Sequence, residues 1–140
     1  MTQEQIRLVQ ASLPAVLDIR EVAAALFYKR LFEIDPSTRP LFAGTNMAKQ
    51  GSKLMSALGV IVGGLNRLEA MRPMIRDLSR RHVRYGVLPR HYESVGLALL
   101  WTLERGLGDA LTPELRAAWT AAYAALSEAL QEPANETIAA

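Results

Sequence analysis

An all-α fold is predicted by three features of this 140-residue sequence. Apolar residues recur at helical spacing, no segment alternates convincingly between apolar and polar residues, and Pro, Gly or capping residues separate the helical segments. Half of the residues are hydrophobic and 21% are charged, which is ordinary for a globular protein with a real core. The sequence therefore indicates one helical domain, which we place at residues 1–132, followed by a tail at 133–140.

Each helix is predicted from its start and stop signals. Thr2 with Gln5 forms a capping-box pattern, so a helix begins at the N-terminus. Pro14 is expected to bend this helix or to restart it after Ser12. Further helices are expected at about 19–34 and 47–63, from 72 to the Gly at 86, from the Pro at 89, and from 113 to the Pro at 133, with a short turn at 35–42 and a loop at 43–46.

Composition excludes several classes of function. The absence of cysteine removes disulfides, thiol nucleophiles and thiolate ligands to a metal or haem. The net charge is +2 and acidic residues interrupt the arginines between 67 and 90, so a solvated helix face is a better interpretation than the alternative, a nucleic-acid patch. The N-terminus lacks a signal-peptide pattern and the longest apolar run, 57–65, is too short to span a membrane. We therefore expect a soluble, cytoplasmic protein.

The segment 78–87 carries the most informative residue, His82. Read as a helix, it places His82 on a stripe of apolar residues, and a stripe at this spacing normally faces the core. A buried imidazole needs a hydrogen bond or a metal at each ring nitrogen. His82 is thus either a core histidine satisfied by hydrogen bonds or a single axial ligand of haem. The stripe consists of Met74, Leu78, His82 and Tyr85, and the arginines expected to face water are Arg72, Arg76, Arg80 and Arg84.

Other catalytic and metal-binding patterns are weak. His91 is the only other histidine, and we expect it to be exposed in the first turn of a helix. The two histidines do not share a helix face and could not form a zinc site alone, which needs three or four ligands. No Gly-flanked serine indicates a Ser-His-Asp hydrolase, and the glycines at 63–64 end a helix instead of forming a phosphate loop.

Several segments resemble bacterial single-domain globins and flavohaemoglobin globin domains, and more distantly animal neuroglobins. The resemblance covers nearly the whole chain in register and implies a globin fold, with helices packed three on three around a pocket for haem b (iron protoporphyrin IX). The segments that carry it are LFYKRLF at 26–32, Pro36, PLF at 40–42, RRH at 80–82, Gly86-Val87, His91-Tyr92, Val95-Gly96, Leu107-Gly108, Ala118-Trp119 and Tyr123.

The resemblance implies that His82 is the proximal iron ligand, with its other ring nitrogen donating to a backbone carbonyl near Leu78. In flavohaemoglobins a Tyr and a Glu also orient this histidine. Tyr92 matches the Tyr, but the position of the Glu falls at Ala134. Nearby Glu132 and Glu136 are poor substitutes because of the intervening Pro. His82 is therefore expected to be a less anionic ligand, which makes peroxidase-like chemistry unfavourable.

On the distal side, the resemblance implies catalytic roles for Tyr28 and Gln50, although Gln50 could also be a solvent-facing helix residue. O2 bound at haem gains negative charge, so a nearby O–H or N–H donor slows its release, by about 1.5–3 kcal/mol per donor. Ala24 and Gly51 match the small pair where their helices cross. The other implied haem contacts are Leu54, Val87 and Phe42 (or a plain core Phe), with Lys53 and Arg81 as propionate partners or ordinary surface charges.

The function implied by the resemblance is reversible binding of O2, NO and CO, with nitric oxide dioxygenation as the leading hypothesis. Flavohaemoglobins continue into flavin and nicotinamide domains whereas this sequence ends at 140, so we expect an external reductase as partner. The alternatives are a non-enzymatic O2 carrier, store or sensor, and a haem-free helical interaction module. We expect a monomer or homodimer, and the lack of a distal His argues against a bis-histidyl resting state.

Overall fold

Helices account for most of residues 1–132, the part of the chain that the computed structural model describes. No strand occurs in that part, so the predicted all-α class is confirmed. The tail predicted at 133–140 lies outside the described residues. The helices are α1 (Gln3–Asp18), α2 (Arg20–Ile34), α3 (Met47–Gly63), α4 (Arg72–Arg84), α5 (Pro89–Leu107) and α6 (Pro113–Leu130), with short 3₁₀ segments at Pro36–Phe42, Leu65–Arg67 and Gly108–Ala110.

Side-chain caps explain where several of these elements begin. The Gln5 N–H donates to the Thr2 hydroxyl and the Thr2 N–H donates to the Gln5 side chain, each at 3.0 Å, which confirms the predicted capping box. These bonds satisfy N–H groups that have no partner within the helix. Single side-chain caps of the same kind are formed by Asp35, Asn46 and Thr112.

Pro14 lies inside α1, so the restart expected after Ser12 is wrong. Val9 and Val16 on either side of it are 0% and 3% exposed, because both belong to the core cluster that contains Trp119 of α6. Trp119 of α6 also donates from its indole N–H to the Ser12 hydroxyl at 2.9 Å. This packing holds α1 in one helix despite the backbone hydrogen bond that proline removes.

The helices pack in pairs, and α3 and α4 pack against different helices. The most extensive contacts join α2 to α5, α1 to α6 and α2 to α3, whereas α4 packs mainly against α6. At the crossing of α2 and α3, a Cβ added to Gly51 would lie 2.9 Å from the Ala24 Cβ, so the predicted small pair is confirmed. No helix within residues 1–132 has the length and apolar character to cross a membrane.

The buried face of α4 differs from the predicted stripe. Ile75 and Ser79 are 4% and 3% exposed, whereas Met74 and Tyr85, which we expected in the core, are 38% and 65% exposed. Ser79 faces α6 because its hydroxyl donates to the Leu130 carbonyl at 2.6 Å. The spacing of long apolar residues does not reveal this face, because a serine carries no apolar signal even where its hydroxyl has a buried hydrogen-bond partner. Two of the arginines expected to face water are instead half-buried, Arg76 and Arg80.

Replacement of Gly86 or Gly59 with Ala is expected to change the stability of the fold in opposite directions. Gly86 follows α4 with φ +88°, a left-handed conformation that costs an L side chain about 1–2 kcal/mol, so Gly86→Ala should destabilise the fold. Gly59 lies within α3 and a Cβ there would meet nothing within 4 Å, so Gly59→Ala should stabilise it by up to ~1 kcal/mol. Denaturant unfolding measures both changes, and shifts of the same sign would contradict this interpretation.

Candidate functional site

His82 lies near the end of α4, and its hydrogen bond fixes its tautomer. Nδ1 is 2.8 Å from the Leu78 carbonyl oxygen, which confirms the predicted bond to this carbonyl. A carbonyl oxygen only accepts, so Nδ1 carries the hydrogen and Nε2 carries the lone pair. Burial lowers the pKa of His82, which keeps the ring neutral near pH 7. The ring is thus prepared to donate an electron pair from Nε2.

Tyr92 supports His82 through its ring. The two ring centroids are 6.1 Å apart with 20° between the planes, and Tyr92 is 9% exposed. Tyr92 is held in turn by the Tyr123 hydroxyl, which donates to its backbone carbonyl at 2.5 Å. Glu132 lies elsewhere, in a surface groove between the start of α4 and the end of α6. Ala134 and Glu136 lie outside the described residues.

Tyr28 lies in a buried aromatic cluster that α2 shares with the first 3₁₀ segment. Its ring centroid is 5.2 Å from that of Phe42 and 5.0 Å from that of Phe27, and Leu54 of α3 packs against the same cluster. Burial raises the pKa of the Tyr28 phenol, and a hydrogen bond with the Gln50 side chain opposes that shift. The phenol therefore keeps its proton at neutral pH, and buried Tyr28 forms a polar pair with the half-buried Gln50.

The remaining predicted site residues are Val87, Lys53 and Arg81, and they differ in whether they already contact other side chains. Val87 packs into the cluster that contains Tyr92, on the same side as His82. Lys53 is exposed on α3. Arg81 is exposed and already paired with Asp77, whose carboxylate accepts from its Nε at 3.0 Å. Their propionate roles therefore remain predictions.

His91 is 3% exposed, so the expectation that it faces solvent is wrong. The backbone N–H of Leu88 donates to its Nδ1 at 2.9 Å, and its Nε2 lies 3.1 Å from the Ser37 hydroxyl. The first contact has a sequence signal, since His91 is the third residue of a helix that begins at Pro89, where a side chain can cap the preceding N–H. The second contact joins residues 54 apart and has no local signal.

The chemistry of these residues fits haem better than a bare metal ion. Within residues 1–132 no three His, Asp or Glu side chains are grouped so that they could hold a metal. A single neutral imidazole suits a metal whose other ligands come with a prosthetic group, as in haem. The two clusters that contain Tyr28 and Tyr92 supply side chains of the kind that an apolar macrocycle needs, namely Phe42, Leu54, Val87 and Tyr92.

Known proteins match this chain over most of its length. The globin family model matches residues 25–130. A flavohemoprotein of Bacillus subtilis is 29% identical over 92% of the chain and one of Deinococcus radiodurans is 33% identical over 91%. The chain spans about a third of the length of these relatives, 33% and 32% respectively.

Two solved structures have a backbone fold similar to that of this chain. An engineered carbene transferase, made from a Rhodothermus marinus protein provisionally named a nitric oxide dioxygenase, superposes with a TM-score of 0.83 at 32% identity, covering 93% of this chain and 90% of that one. A bacterial globin of Campylobacter jejuni gives 0.80 at 28% identity, with 91% of each chain covered. The predicted globin fold is confirmed, and family membership implies binding of haem and of diatomic gases. With the family model matched over most of its residues, this chain belongs to the globin family.

Proposed function

We propose that this globin holds haem b through His82, binds O2, NO and CO reversibly, and converts NO to nitrate with O2 and electrons from a separate reductase. The observation that carries the proposal is the pairing of Tyr28, buried in the aromatic cluster beside Phe42, with the half-buried Gln50. Two neutral hydrogen-bond donors in an apolar wall suit a ligand that becomes negatively polarised. Haem iron supplies that ligand's binding and polarisation.

Tyr28 and Gln50 can serve the ligand as a unit. Burial raises the pKa of the Tyr28 phenol and the hydrogen bond with Gln50 lowers it, so the Gln50 amide donates to the phenol oxygen. The Tyr28 O–H is then left to donate to the ligand. Burial of Tyr28 among aromatic rings makes that hydrogen bond stronger than it would be in water.

His82 sets the other half of the chemistry. Its Nδ1 hydrogen bonds to the Leu78 carbonyl, which is a weaker acceptor than a carboxylate. The imidazole therefore keeps less negative character than a histidine paired with Glu. This favours reversible gas binding and reaction with NO over cleavage of an O–O bond.

The comparisons support the dioxygenase hypothesis and the reductase partner. The relatives are named flavohemoproteins, a name that joins a flavin to haem. A structural neighbour is provisionally named a nitric oxide dioxygenase. A non-enzymatic O2 carrier, store or sensor is the second candidate, because the same Tyr28 and Gln50 donors would retain O2 in the absence of NO.

Nitrate production tests the proposal. With O2, pulses of NO and a flavin reductase with NADH as electron source, the ferrous protein should form many nitrate ions per haem, one for each NO, O2 and electron consumed. His82→Ala should form only what the reductase mixture forms without protein. If at most one nitrate forms per haem under continued reduction, the dioxygenase hypothesis is rejected and the carrier, store or sensor remains.

A further inference from the structure

A chain of hydrogen bonds crosses from the turn between α4 and α5 to the first 3₁₀ segment. Because the Leu88 N–H donates to His91 Nδ1, the His91 hydrogen is on Nε2 and is directed at the Ser37 hydroxyl oxygen, 3.1 Å away. The Ser37 hydroxyl donates in turn to Asp35 Oδ1 at 2.5 Å. We call Asp35, Ser37 and His91 the corner link.

The direction of these bonds excludes a nucleophilic serine. A histidine that activates a serine must accept the hydroxyl proton, whereas His91 donates to Ser37. Asp35 is the final acceptor, and hydrogen bonds from Ser37 and then Ser94 lower its pKa, so it stays ionised. Ser94 reaches the other carboxylate oxygen, Oδ2, at 3.0 Å and does not belong to the link.

The corner link joins the two sides of the candidate site. On one side it holds the 3₁₀ segment Pro36–Phe42, which delivers Phe42 to the aromatic cluster. On the other side it holds Leu88, and the preceding Val87 donates its N–H to the His82 carbonyl at 3.0 Å. A second contact lies beside it, since a Cβ on Gly86 would be 3.5 Å from Leu41 Cδ2.

We propose that the corner link consists of positioning residues that fix the end of α4, and hence the His82 imidazole, relative to the wall that carries Phe42. The end of α4 needs such support because α4 packs mainly against α6, and the buried residues of that helix are Ile75 and Ser79, its fourth and eighth residues of 13. The inference rests on the proposed role of His82 as iron ligand.

Two variants break the link from opposite ends. His91→Asn keeps an acceptor near the position of Nδ1 for the Leu88 N–H but is too short to reach Ser37. Ser37→Ala removes the hydroxyl and leaves the His91 cap in place. Ser94→Ala is the matched control, because it removes a serine hydroxyl from the same carboxylate without touching the link.

Hydrogen exchange and resonance Raman spectra of the holoprotein test the proposal. In the ferrous CO form, His91→Asn and Ser37→Ala should each speed exchange of the Val87 amide by roughly three- to tenfold, the value of one hydrogen bond. In the unliganded ferrous form they should broaden or shift the iron–histidine band. The double variant should show no larger change in exchange or in the band than either single variant, because both substitutions remove the same hydrogen bond.

Wild-type exchange and an unchanged iron–histidine band in both variants would overturn the proposal, as would equal changes in Ser94→Ala. Failure of the proposed function gives a different result. If His82 is not the iron ligand, the wild-type protein itself shows no iron–histidine band, whereas exchange at Val87 still reports whether the link holds the turn.

Discussion

Replacing His82 with Ala is expected to increase the rate of haem loss more than about 100-fold, since a direct ligand should count for more than the outer-shell partners that cost 10- to 100-fold. The other histidine, His91, does not replace it, because its two ring nitrogens are committed to Leu88 and Ser37. Haem transfer to an apoglobin acceptor, followed through the Soret band, measures the rate.

Added imidazole separates loss of the iron ligand from loss of the fold. If His82→Ala removes only the ligand, imidazole should enter the cavity left by the side chain, restore a six- or five-coordinate spectrum and slow haem loss. His91→Asn leaves the iron ligand in place, so it should keep its Soret band even though its iron–histidine band changes. An unchanged Soret band and haem-loss rate in His82→Ala would show that another residue holds the iron, or that none does.

The two sides of the candidate site are held by different kinds of interaction. Tyr28 is 7% exposed and fixed by aromatic contacts with Phe27 and Phe42. His82 is half-buried and is held mainly by hydrogen bonds, its own to Leu78 and that of the turn after α4 to its carbonyl. Distal substitutions that preserve ring size should therefore change ligand kinetics with little effect on stability, whereas substitutions near the end of α4 should affect both.

Local sequence signals predicted most helix boundaries because the interactions that set them are local. Thr2 reaches Gln5 and Asp35 reaches Ser37 within one turn, so composition and spacing are sufficient. The orientation of α4 was not predictable in this way. It depends on α6, and in particular on the Leu130 carbonyl that accepts from Ser79, 51 residues away.

The site itself was predicted by family resemblance more than by pattern. Helical spacing placed His82 beside apolar residues, but it left haem ligation and a satisfied core histidine as alternatives. Tyr28 and Gln50 come together because α2 and α3 cross at Ala24 and Gly51. The spacing of residues within either helix does not show that crossing. The partner of His91 was missed for the same reason.

Loss of either distal donor is expected to speed O2 release by roughly ten- to a hundredfold. A hydrogen bond to a charged or strongly polarised acceptor contributes about 1.5–3 kcal/mol, and each 1.4 kcal/mol corresponds to about tenfold. Tyr28→Phe keeps the ring among Phe27 and Phe42 and removes only the hydroxyl. Gln50→Leu keeps a side chain of similar length and removes the amide. Stopped-flow displacement of O2 by CO measures both off-rates.

The double variant decides whether the donors act as a pair. Because the Tyr28 phenol and the Gln50 amide bond to each other, removing one also frees the other from its fixed orientation. The combined change should therefore fall short of the product of the single changes. Tyr85→Phe removes a hydroxyl from an exposed ring and should leave the off-rate unchanged. Wild-type off-rates in both single variants would remove Tyr28 and Gln50 from the mechanism, and a fully multiplicative double variant would show two independent donors.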